Sequence, residues 1–135
     1  MKEKYLAAFM DMAERFGQTS TAERLKVGTL IIKDDRIISL GVNGTPKGWP
    51  SEVCEGLDGQ TWPHVRHSEL AALNKLRSSP ESAVGSTMVV SHSPCHACAI
   101  EIADSGVKAV YYRHAYRSNT GLHYLKAKGV EVYKI

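Results

Sequence analysis

Apolar positions recur at helical spacing from the first residues. Tyr5, Leu6, Phe9, Met12, Ala13 and Phe16 follow a 3.6-residue period with charges between them, which predicts an amphipathic helix over residues 2–16, ending near Gly17. The pattern then shortens. "KVGTLIIK" and "RIISLGVN" are β-branched runs joined by Asp34–Asp35 and predict a hairpin. Residues 43–66 show neither period, and their Gly and Pro content predicts a long loop, of the kind that carries function in a small domain.

Beyond that loop the two periods alternate. "SELAALNKLR" reads as a helix, "STMVVSH" as a strand and "CHACAIEIADSG" as a helix closed by Gly106. "VKAVYYR" reads as another strand, "TGLHYLKAKG" as a helix closed by Gly129, and "VEVYKI" as a last strand. Strand and helix in alternation predict an α/β sheet layered with helices, its later strands parallel.

A length of 135 residues suits one domain, 1–135. Apolar content of 43% and charged content of 23% are those of an ordinary globular chain. No apolar stretch is long enough to span a bilayer, and the first helix is too charged for a signal peptide. A net charge of +3 admits a small anionic ligand but argues only weakly for a polynucleotide partner. Three cysteines, two of them three residues apart, fit metal or thiol chemistry in a reducing, cytoplasmic setting better than a disulfide framework.

That cysteine pair lies in "SHSPCHACAI". Ser93 is expected to cap the following helix, with Pro94 at its first position and Cys95 and Cys98 in its first turn, on one face. The free amides and dipole of a helix start favour thiolates, the metal-binding form. His96 should point elsewhere. His92 ends the strand and could approach the site, but its alternation with Val90 and Met88 suggests a half-buried strand residue.

Spacing alone leaves a redox pair as open as a metal pair. "HSE", opening the preceding helix, separates them. His67 supplies a third ligand, which leaves one place of a tetrahedral zinc open, and Glu69 supplies a carboxylate that can take and return protons there. Residues two apart do not share a helical face. His67 and Glu69 therefore converge only if the ion lies beyond the helix N-terminus, so that two helix starts point at one metal.

His-x-Glu followed by Pro-Cys-x-x-Cys resembles the signature of the zinc-dependent nucleobase deaminases. "VGTLIIKDDRIISLGVNGTPKGWP" and the stretch from "TMVVSHSPCHAC" to the C-terminus resemble the deoxycytidylate (dCMP) deaminases. The resemblance implies a cytidine-deaminase-like three-layer α/β/α sandwich around a five-stranded mixed sheet. It implies one catalytic Zn2+ on His67, Cys95 and Cys98, with Glu69 as proton shuttle and Asn43 near the sugar. The implied reaction is hydrolysis of dCMP to dUMP and ammonia by a homo-oligomer.

Arg24, Lys26 and Arg117, with Tyr116 beside the last, are the candidates for the 5′-phosphate. Trp49 and Trp62 either cover the base or anchor the long loop. The chain departs from the family pattern at Val42 (a tyrosine there), Ser68 (an alanine) and Ala71 (an asparagine). Its long loop offers only Cys54 and His64 towards a second, structural zinc, which is therefore not expected. Two alternatives stand beside this reading: a related zinc deaminase acting on another cytosine or purine substrate, and a zinc-stabilised binding module with Cys54 as fourth ligand.

Overall fold

The computed structural model describes residues 1–135. Helix α1 (Glu3–Gly17) forms as expected but faces the sheet through a shifted stripe: Leu6, Met10, Ala13 and Gly17 are buried, Phe9 and Phe16 are half-buried, and Tyr5 and Met12 of the predicted face are exposed. Strands β1 (Gly28–Lys33) and β2 (Arg36–Val42) form the predicted hairpin. Asp34 and Asp35 turn the chain with φ of 53° and 59°, the paired left-handed geometry of a two-residue turn, which aspartate tolerates better than most residues.

Helix α2 (Ser68–Lys75) continues as a short 3₁₀ turn, Leu76–Ser78. Then follow β3 (Thr87–His92), α3 (His96–Asp104), β4 (Ala109–His114), α4 (Thr120–Ala127) and β5 (Glu131–Lys134). The sheet runs β2-β1-β3-β4-β5. β1 is antiparallel to both neighbours, whereas β3, β4 and β5 are parallel, so the sheet is mixed and five-stranded.

Alternation along the central strands divides the core in two. Leu30, Ile32 and Val89 face α1, packing with Leu6, Met10 and Ala13. Ile31, Met88, Val90 and Val110 pack on the other side with Ala72 of α2, Cys98, Ala99 and Ile102 of α3, and Leu125 of α4. The result is the three-layer α/β/α sandwich that the resemblance implies. Helix α2 lies very close on the sheet: a Cβ at Gly41 would stand 2.5 Å from Ser68 O and 2.6 Å from Ala72 N, so glycine is required there.

Strand directions decide where a ligand can sit. β3 and β4 end where β1 begins, and β2, antiparallel to β1, ends there too. The chain segments leaving β2, β3 and β4 and the one entering β1 therefore crowd one edge of the sheet, the edge where α/β proteins place their sites.

One local expectation is overturned. Cys95, not Ser93, is the N-cap of α3, which begins at His96. The Ser93 hydroxyl is engaged instead by the Tyr116 amide, which donates to it at 2.6 Å, and that bond ties the β3 exit to the β4 exit.

Candidate active site

Two helix starts meet at that edge. His67 is the N-cap of α2 and Cys95 the N-cap of α3, both in extended backbone and neither bonding a helix amide through its side chain. His67 Nδ1 lies 3.2 Å from Cys98 Sγ and 3.5 Å from Cys95 Sγ, and all three ligand atoms fall within 4.8 Å of one another. Bonds of about 2.0–2.1 Å to nitrogen and about 2.3 Å to sulfur put tetrahedral ligand atoms roughly 3.5–3.8 Å apart, so the set fits a zinc ion.

The electrostatics suit a cation. The Cys98 thiol, bonding towards Cys95, and then His67 hold the Cys95 thiol well down, at about 3. Cys98 is pushed up by that same shared proton and by burial; a divalent cation would take the proton's place and leave both sulfurs as thiolates. The His67 pKa is raised, first by its bond to Cys95 and against the effect of burial.

Glu69 is only 4% exposed. Burial raises its carboxyl pKa above the ordinary value, opposed by its own backbone amide and by the Ser68 hydroxyl. A carboxyl whose pKa is raised in this way is a better proton carrier than a free one. The hydroxyl of Ser68 donates to Glu69 Oε1 at 3.0 Å and lies 2.7 Å from Thr29 Oγ1.

His67, Glu69 and Cys95 line one end of a cavity of about 410 Å³, ample for a small nucleotide. Arg24, Asn43, Tyr116 and Arg117 also line it, so four of the five predicted substrate contacts come together. Lys26 does not line it: its side chain is exposed outside the cavity. Asn43 is tightly committed, its Oδ1 accepting from Val27 N at 2.9 Å and its Nδ2 donating to Leu25 O at 2.7 Å. Those bonds fix the segment that enters β1. Arg117 lies over the Tyr116 ring, 6.0 Å from its centroid.

The tryptophans do not reach the cavity. Trp49 stacks on His64 at 4.2 Å and Trp62 lies on it at 6.2 Å, so this half-exposed aromatic group ties the long loop to itself and neither covers the base nor anchors the loop to the core. Cys54 is fully buried and bonds Thr21 Oγ1 and Glu52 O, apart from the His67–Cys95–Cys98 group. His96 packs edge-on against Tyr124.

One acidic cavity residue escaped the sequence pattern. Glu55, inside the long loop, lines the cavity while its carboxylate accepts from the amides of Glu23 and Arg24; nothing in a loop without periodicity marks it. His92 also lines the cavity, its ring against His114 at 4.9 Å and its Nδ1 2.9 Å from Ser91 Oγ. Burial and then His114 hold its pKa below the usual histidine value. It is the half-buried residue expected at the end of the strand, and it does approach the site.

Comparison with known proteins places the chain in one family. Residues 3–114 match the family described as the cytidine and deoxycytidylate deaminase zinc-binding region. The deoxycytidylate deaminase of Mycobacterium phage D29 is 33% identical over 117 residues, covering 77% of this chain and 90% of the phage protein. The crystal structure of dCMP deaminase from the cyanophage S-TIM5 in complex with dCMP and dUMP superposes with a TM-score of 0.98 at 45% identity, covering 100% of this chain and 99% of that one. The apo form of the S-TIM5 enzyme superposes with a TM-score of 0.90 at 41% identity, covering all of both chains. With a His/Cys/Cys group in the matched region and the same five-stranded sandwich around it, the chain belongs to the zinc-binding cytidine and deoxycytidylate deaminase family.

Proposed function

We propose that this protein hydrolyses dCMP to dUMP and ammonia. The observation that carries the reading is the meeting of His67, Cys95 and Cys98 around one point beside the buried carboxyl of Glu69, in a cavity that Arg24 and Arg117 also line. Kinship to the D29 and S-TIM5 enzymes names the substrate class.

In this reading His67, Cys95 and Cys98 hold the zinc. Zinc, when bound, supplies the Lewis acidity that makes water a nucleophile near neutral pH. Glu69 takes the proton released as water adds to C4 of cytosine. It delivers that proton to N3 and carries the next one to the departing 4-amino group, which leaves as ammonia. Glu69 thus ends each cycle as it began. Burial prepares it for both directions by bringing its affinity for protons nearer to the working pH.

Arg117 and Arg24 meet the 5′-phosphate, and Tyr116 keeps the Arg117 guanidinium in place. Asn43 stiffens the entry to β1 and offers its remaining amide proton to the sugar. One zinc per chain, a single domain over 1–135, self-association and a reducing, cytoplasmic setting belong to the same reading. No helix is long and apolar enough to cross a membrane.

The test is a substrate panel of dCMP, CMP, deoxycytidine, dCTP and 5-methyl-dCMP on zinc-loaded protein, with ammonia release and the ultraviolet shift as readouts. Turnover of dCMP above the others is expected. Equal rates on dCMP and deoxycytidine would move the assignment to a nucleoside deaminase. No turnover of any cytosine compound would end it.

A further inference from the structure

Glu69 is held by a neighbour, and that neighbour is held by the sheet. Ser68 Oγ lies 3.0 Å from Glu69 Oε1, and Thr29 Oγ1 lies 2.7 Å from Ser68 Oγ. Ser68 and Thr29 are fully buried and Glu69 nearly so, which leaves little room for water to compete. Ser68 is the donor in the first bond. A serine hydroxyl carries one proton, so Thr29 must be the donor in the second. The chain therefore has a direction, from Thr29 through Ser68 to Glu69 Oε1. Its far end is rigid, because Thr29 sits within β1, paired with Gly41 of β2 and Val90 of β3.

We propose that Ser68 and Thr29 are positioning residues for the reaction, pinning Glu69 Oε1 so that Oε2 is the oxygen that exchanges protons with the substrate. The inference rests on the deaminase reading above. Proton transfer needs heavy atoms within about 2.6–3.2 Å. A glutamate has three rotatable bonds and reaches that distance reliably only if something fixes its carboxylate plane. Ser68 does this from the adjacent residue, with a hydroxyl already spent on Glu69. Its effect should therefore fall on the chemical step and not on nucleotide binding.

Three variants test it. Ser68→Ala should lower kcat about tenfold, the size of one lost hydrogen bond to a charged group, with KM and zinc content unchanged. Thr29→Ser keeps the hydroxyl and should keep kcat. Ser68→Ala strands the Thr29 hydroxyl in the core and should also lower Tm. The double variant Thr29→Val/Ser68→Ala removes both polar groups, so Tm should recover while kcat stays low. Recovery of kcat along with Tm would make the pair merely structural and overturn the proposal, as would an unchanged kcat in Ser68→Ala. A crystal structure of Ser68→Ala should show the Glu69 carboxylate turned from its place; an unmoved carboxylate overturns the proposal whatever the activity. Failure of the deaminase reading would show separately, as absence of turnover by the wild type, with Glu69→Gln indistinguishable from it.

Discussion

His67 and Cys95 hold the same rank in two different helices. Each is an N-cap, and their ligand atoms stand 3.5 Å apart. N-cap side chains ordinarily satisfy a free amide of the first turn, and substitution of a good cap costs about 1 kcal/mol. Neither does so here, because both are turned outward to each other and to Cys98. The helices give up capping bonds, and their exposed amide ends favour the thiolates instead.

Loss of any one ligand should therefore empty the site. His67→Ala, Cys95→Ser and Cys98→Ser should each drop zinc content well below one ion per chain by atomic absorption, with activity lost in parallel. Chelation of the wild type should lower Tm, since a metal bound only by the folded state stabilises it. A Cys54→Ala variant should keep its zinc, because Cys54 lies apart from the group. Release of zinc from that variant would restore the alternative of a closed, structural site.

Glu69 should behave differently from the ligands. Glu69→Gln keeps size and burial but cannot shuttle protons, so kcat should fall by about 10²–10⁴ with zinc retained. The sign of its effect on stability follows from the direction of its shift in the zinc-stripped protein. Its folded pKa is raised by burial, so its favourable contribution is present below the ordinary carboxyl range and is lost as pH rises through the raised value. Stripped wild type should thus lose stability as pH rises above the ordinary carboxyl range, and stripped Glu69→Gln should lose less. A steeper loss in the variant, measured by Tm across that rise, would contradict the burial argument.

Much of the fold was legible because it rests on period and punctuation. The helical period of α1, the Asp34–Asp35 turn and the glycines closing α3 and α4 are local signals, and the elements formed where those signals stand, although α1 turns Met10 and not Tyr5 or Met12 to the sheet. The metal group was legible because helix starts have a direction: two apart along the chain, His67 and Glu69 can serve one ion only from an N-terminus. What was not legible depended on partners distant in sequence. Ser93 has the chemistry of a cap, but the Tyr116 amide, 23 residues on, takes its hydroxyl. Trp49 and Trp62 were candidates to cover the base, but His64 holds them together in the loop. Lys26 and Arg24 are indistinguishable as charges in the sequence, and only the course of the chain into β1 turns one of them to the cavity.

Phosphate recognition should be separable from chemistry. Arg117 lines the cavity and lies over Tyr116, two residues beyond the β4 exit that is tied to Ser93. Arg117→Ala should raise KM for dCMP about tenfold or more, the size of a lost charge-assisted hydrogen bond, and should change deoxycytidine turnover far less. If both substrates suffer equally, Arg117 shapes the cavity and does not meet the phosphate.

The last prediction sets two effects of opposite sign against each other at Gly121, in the first turn of α4. Alanine is the better helix former by about 1 kcal/mol, which alone would make Gly121→Ala stabilising. A Cβ there, however, would stand 2.3 Å from Pro94 O and 2.8 Å from both the carbonyl carbon and oxygen of Cys95. These are backbone atoms of the loop that carries a zinc ligand, so they cannot yield as the end of a flexible side chain would. Forcing atoms into a packed region costs about 1–3 kcal/mol, and here the displacement must pass through Cys95 itself. The clash should win. Gly121→Ala should lower Tm and weaken zinc retention together, even though it touches neither ligand nor cavity side chains. A raised Tm with full zinc occupancy would mean that α4 can move aside, and that the metal loop is less firmly braced than this packing requires.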